Sequence, residues 1–183
     1  MRSVRTLAAA LGAVGLLLSP GEAHADVASW LFVGGGAGSL SRPGLDPKWA
    51  PVLHLDAGMG TSPANPLSVG GLFRLQTRFG DGSDYGLFLR TASGGYNRGD
   101  WGAALDLGGY LRPWGDEKPG YAATLSLGAP WGITLNTDFQ QGPDSVRAIA
   151  FVVGLDLARF TAYRSTGLGW LPNPYPAPAA SPR

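Results

Sequence analysis

Residues 72–90, LFRLQTRFGDGSDYGLFLR, decide how this chain folds. Two apolar segments flank the turn GDGSD and carry Arg74, Arg78 and Arg90 at alternate positions. In a β-strand, successive side chains leave on opposite faces. Arg74, Gln76 and Arg78 therefore share one face, and Phe73, Leu75 and Phe79 share the other. If the apolar face is inside, the arginines stand in water. If it is outside, the surrounding solvent must be lipid.

The same period-two pattern recurs along the chain, and no segment after residue 25 keeps a 3.6-residue apolar period. Eight strands are expected, at 28–39, 50–61, 68–79, 84–93, 100–112, 120–129, 131–141 and 146–163. The connections carry turn chemistry, for example SRPGLDPK, SGGYNRG and QGPDS. All are short enough for hairpins, so an antiparallel up-and-down meander follows. In DWGAALDLGGYLR, Trp101, Ala103, Leu105, Leu107 and Leu111 face one way and Ala104, Asp106, Gly108, Tyr110 and Arg112 the other. In GITLNTDFQ, Ile133, Leu135 and Phe139 oppose Asn136 and Asp138. In VLHLDAGM, Leu53, Leu55 and Met59 oppose His54, Asp56 and Gly58. The last strand sets Phe151, Val153 and Leu155 against Ala150, Gly154 and Asp156, with Val152 out of pattern.

A soluble barrel covers its outside with Lys, Glu and other bulky polar groups. These polar faces hold no Lys or Glu; Lys48, Glu117 and Lys118 fall in expected loops. They are instead rich in small residues such as Gly58, Gly86, Gly102, Gly108 and Gly154. Small residues suit a narrow eight-stranded lumen, whose interior is only wide enough for side chains to fill. The arginines then point inward and need partners, because an unpaired buried charge costs several kcal/mol. The expected lumenal network is His54, Asp56, Arg74, Arg78, Arg90, Asp106, Asp138 and Asp156. Trp30, Tyr85, Trp101, Tyr121 and Trp131 near strand starts, with Trp114 and Tyr163 near strand ends, read as an interfacial aromatic belt.

On this pattern, residues 28–163 resemble the small eight-stranded outer-membrane barrels of diderm bacteria. The resemblance implies an all-β transmembrane barrel in the cell outer membrane, membrane lipid around it and the barrel-assembly machinery as a partner. Such barrels end in an aromatic residue that closes the last strand and is read by that machinery, whereas this chain continues past Tyr163.

The start of the chain fits export. Arg2 and Arg5 precede an apolar run from 6 to 18 and a small-x-small site, Ala23-His24-Ala25, which together read as a cleaved signal peptide over residues 1–25. The run is too short for a membrane-spanning helix, which needs about 20 residues. No Cys follows it, so lipid attachment to an N-terminal cysteine is excluded. Residues 26–165 form the expected barrel and 166–183 a Pro-rich tail. Removing Arg2, Arg5 and Glu22 leaves twelve basic and twelve acidic side chains, so no basic surface recommends a nucleic-acid partner. The absence of Cys excludes disulfides and thiolate metal sites.

No constellation specifies a reaction or a cofactor. His54, Asp56 and Ser126 contain the residue types of a hydrolase triad without its spacing logic, and a satisfied lumenal His–Asp pair is the simpler reading. Asp81 and Asp84 in GDGSD fall short of a calcium loop. GGGAG at 34–38 lacks the lysine and helix of a phosphate cradle and reads as close packing or a bulge. In the tail, alternate prolines from Pro172 to Pro178 exclude helix, leaving a disordered end or a docking peptide for a periplasmic partner. The function expected is a non-enzymatic outer-membrane structural or interaction protein with a plugged lumen. The alternatives are a soluble periplasmic or secreted lipocalin-like barrel with an apolar ligand, an interfacial lipid-modifying enzyme, and a small pore.

Overall fold

Eight strands pair in sequence order and close on themselves: β1 (Ala28–Ser41), β2 (Lys48–Gly60), β3 (Leu67–Arg78), β4 (Gly82–Ser93), β5 (Gly102–Leu111), β6 (Gly120–Gly128), β7 (Ile133–Gln141) and β8 (Arg147–Asp156). Every pairing is antiparallel, including the β1–β8 seam. This computed structural model describes residues 27–63, 65–114, 119–143 and 145–161. The expected signal peptide, Tyr163 and the Pro-rich tail lie outside the described residues.

The registers fix the shape of the ring. Following Cα partners from Trp30 leads through Gly58, Leu72, Phe88, Gly108, Ala122, Gln140 and Ala148. The path returns to β1 at Leu40, ten positions beyond its start. With about 3.3 Å per residue along a strand and about 4.8 Å between strands, that stagger tilts the strands by about 40°. Each register also joins residues of like parity. Odd-numbered strand residues therefore face out all round the barrel, and even-numbered ones face the lumen. The burial pattern follows: Leu87, Leu105, Phe139 and Val153 are exposed, whereas Arg74, Phe88, Ala104 and Asp138 are buried.

Glycine is needed at the seam. A Cβ on Gly36 would stand 1.8 Å from the carbonyl oxygen of Phe151 in β8, so only a bare backbone lets β1 close on β8 there. The GGGAG run accordingly serves close packing.

Some expectations need correction. Trp30 does not join an outer belt. Its even number turns it into the lumen, where it is buried and donates from Nε1 to Asn97 Oδ1 at 3.0 Å. Tyr85, Trp101, Tyr121 and Trp131 do face out. β2 starts earlier than expected, so Lys48 opens a strand and pairs with Asp81 at 3.2 Å. Residues 100–101 are not strand, and Trp131 sits in a 3₁₀ turn (Pro130–Gly132) with φ of 66°.

The larger correction concerns two helices. SGGYNRG is no simple turn: Ser93 accepts from Tyr96 N, and α1 (Gly94–Arg98) follows, ended by Gly99 at φ 80°. A serine N-cap and a left-handed glycine are the usual bounds of a helix. The last strand stops at Asp156 rather than 163, because its carboxylate accepts from Arg159 N at 3.1 Å and starts α2 (Leu157–Thr161). Both helices lie at the barrel end where β1 begins and β8 finishes.

Candidate functional site

The lumen holds three polar layers. The middle one is built by β2, β3, β4, β5, β6 and β7, each contributing an even-numbered side chain. Arg74 is its hub. Its Nε donates to Asp56 Oδ1 at 2.7 Å, and its Nη2 donates to Asp56 Oδ2 at 3.0 Å and to Asp106 Oδ2 at 2.6 Å. Its Nη1 donates to Thr124 and to Asp138 Oδ1, the latter at 3.3 Å, while Phe88 lies under the guanidinium at 4.5 Å. Arg90 donates to both oxygens of Asp106 and reaches Asp56 at 3.3 Å. Trp30 flanks its guanidinium. Gln76 and Thr124 fill remaining sites on Asp138.

His54 completes the layer. Its Nε2 lies 2.8 Å from Asp56 Oδ1 and its Nδ1 3.2 Å from Asp138 Oδ2. The Nε2 contact is a hydrogen bond, whereas Nδ1 has no hydrogen-bond partner among the described residues and meets Asp138 at ion-pair distance only. Three aspartates face two arginines in this layer, so a protonated imidazole would bring it to neutrality. All these groups are buried, where removing one partner of a pair costs far more than the pair itself contributes.

The second layer closes the end at which β1 finishes and β8 begins. Arg112 grips Asp84 through Nε at 2.8 Å and Nη2 at 2.7 Å, and Trp114 donates to the same carboxylate at 3.1 Å. Arg112 lies between the Tyr110 and Trp114 rings. Arg78 is buried in this region, but the structure does not bring it into the central network, and it forms no ion pair among the described residues. Asp81 and Asp84 of GDGSD are each held by a cation, Lys48 and Arg112. No cluster suited to a metal ion is found among the described residues.

The third layer closes the end at which β1 begins and β8 finishes. Arg159 donates to Thr134 Oγ1 at 2.9 Å, to the Asp100 carbonyl at 2.9 Å and to the Ala129 carbonyl at 3.1 Å. Its guanidinium stacks 4.3 Å from the Tyr96 ring. Burial raises the Tyr96 phenol above its ordinary value, which keeps the ring neutral beneath that cation. Asp156 belongs here, accepting from the Leu31 and Arg159 backbones, and not to the central network.

Alternation in the sequence put Arg112 and Gln140 on inward faces, but it did not reveal Arg159, Thr124 or α1 as lumen fillers. A signal for Arg159 was available: in a strand prolonged past Asp156 its odd number would send a guanidinium into the apolar outer face. Ser126 is buried and its Oγ has no hydrogen-bond partner among the described residues, and the structure records no contact between it and His54, whose Nε2 is held by Asp56.

No protein-family model matches the chain, and no curated protein is similar to it.

Proposed function

We propose that the chain is a non-enzymatic outer-membrane barrel, ringed by lipid, plugged along its lumen and offering its short loops as a contact surface. The observation that carries this reading is the distribution of charge between the two faces. Among the odd-numbered, outward positions of the eight strands Arg147 is the one charged residue, and Lys48, exposed at the first position of β2, is the other charge exposed at a strand end; most of the wall is Leu, Val, Ile, aromatic and small side chains. The lumen and its two mouths hold five arginines and five aspartates. A barrel stable in water would have the reverse arrangement, since soluble monomers rarely expose apolar patches above a few hundred Å². Ten residues tilted by about 40° rise about 25 Å, the height of the apolar band on transmembrane barrels.

The buried guanidinium groups of Arg74 and Arg90 cross the lumen, which weighs against an apolar ligand inside a lipocalin-like barrel. His54 is buried between Asp56 and Asp138 with no contact to Ser126 among those the structure records, which weighs against hydrolysis. Lipid and the barrel-assembly machinery are the partners this reading requires, with residues 166–183 available to a periplasmic one.

Fractionation tests the proposal. The folded protein should leave the envelope only with detergent and should migrate faster before boiling than after. Recovery of folded protein in the detergent-free periplasmic fraction would overturn it.

A further inference from the structure

The outer wall is not uniform. Across β5, β6, β7, β8 and the end of β1 it carries a groove of about 870 Å³. The groove exists because two outward positions lack bulk: Gly109 stands opposite Tyr121, and Ala123 lies between Leu107 and Phe139. Tyr121, Phe139 and Ile149 rise around this floor. At the end nearest the β7–β8 turn the lining becomes polar, with Gln141 and Arg147 as Cα partners and Ser41 beside Arg147 across the seam. Arg147 is exposed, makes no ion pair among the described residues, and is the one charged group at an odd-numbered position of the strands.

We propose that this groove seats one lipid, its acyl chains over Gly109 and Ala123 and an anionic phosphate headgroup on Arg147 and Gln141. The inference rests on the membrane reading above. Charge complementarity selects the occupant. A guanidinium is costly on a lipid-facing wall unless it lies at the polar boundary or meets an anion, and its fork matches phosphate oxygens. The groove volume falls in the range of about 300–1,000 Å³ that ligand sites occupy.

Native mass spectrometry of the full chain in detergent tests this, with dioleoylphosphatidic acid, dioleoylglycerol and inorganic phosphate as probes. One phosphatidic acid should remain per barrel, dioleoylglycerol should bind about tenfold more weakly for want of a charge-assisted hydrogen bond, and inorganic phosphate should not remain. Gly109→Phe should abolish retention. A Cβ at 109 meets only the Gly120 carbonyl, at 3.6 Å, so the variant should still fold and still migrate faster unboiled. Arg147→Gln should erase the preference for phosphate, and Arg147→Lys should restore part of it. Equal retention of phosphatidic acid and dioleoylglycerol by the wild type would overturn the proposal. So would undiminished binding by Gly109→Phe, retention of phosphate alone, or a second copy of the chain in place of lipid. A protein that needs detergent but holds no lipid defeats this inference alone. A protein folded in plain buffer defeats the membrane reading itself.

Discussion

Arg90 and Asp106 are Cα partners in the β4–β5 ladder, and the arginine donates from Nε and Nη2 to the two oxygens of that carboxylate at 2.7 and 2.8 Å. Backbone register and side-chain pairing therefore specify each other. A slip of one residue would turn Asp106 out of the lumen, and a slip of two would set Arg90 against Ala104 or Gly108.

Asp106→Ala should cost about 3–5 kcal/mol, because it strips Arg90 of its main partner and Arg74 of one of three. Adding Arg90→Leu should restore part of that loss. Urea unfolding of the detergent-solubilised barrel, followed by gel mobility, measures the cycle. Additive single and double variants would show that the two side chains act independently.

The central layer should respond to charge rather than to volume at His54. His54→Gln leaves one carboxylate uncompensated, so the barrel should unfold at lower urea. His54→Gln with Asp138→Asn removes the surplus charge and should be more stable than His54→Gln alone. The reverse order would mean that His54 contributes through packing on Phe32, whose ring it meets edge-on at 5.4 Å.

Neighbouring positions on β5 should differ sharply. Leu105 faces out and is 45% exposed, whereas Ala104 is buried opposite Ser126. Leu105→Arg should cost about 2–4 kcal/mol if lipid surrounds the wall. Ala104→Ser should be nearly neutral, since a hydroxyl there lies across from Ser126. Similar losses at both positions would contradict the facing.

Purified protein in a planar bilayer should show no stable conductance. Eight strands leave an interior that side chains fill, and open aqueous pores need about 16–18. Arg74→Ala should destabilise the barrel more than Arg78→Ala, because Arg74 reaches three aspartates and Arg78 forms no ion pair among the described residues. Regular conductance steps from the wild type would make transport the function.

The strand number, closure order and facing were legible in the sequence because each rests on a local period of two. Arg74, Arg90, Asp56, Asp106, Asp138 and His54 could be placed on one inner surface for the same reason. Their connectivity could not be read, since Arg74 meets Asp138 across 64 positions of chain and several strands of the ring. Val152 looked out of pattern only because the lumen was expected to be polar; it packs with Phe32, Val52 and Ala150 in a small apolar layer. The helices were missed where alternation persists by accident. Leu157 continues the outward series of β8, while the event that ends the strand, capping by Asp156, depends on one hydrogen bond. Trp30 was misplaced because nearness to a strand end was given more weight than its even number.

Closure of the ring with like parity at every seam has a consequence for how this chain can change over time. A single residue gained or lost inside any strand would exchange lumen and wall for the remainder of that strand. Its arginines or aspartates would join the apolar outer wall and its leucines the charged interior, unless a bulge absorbed the change. Length variation is thereby confined to the turns or to steps of two, and a family of such chains would drift in loop length while each strand kept count.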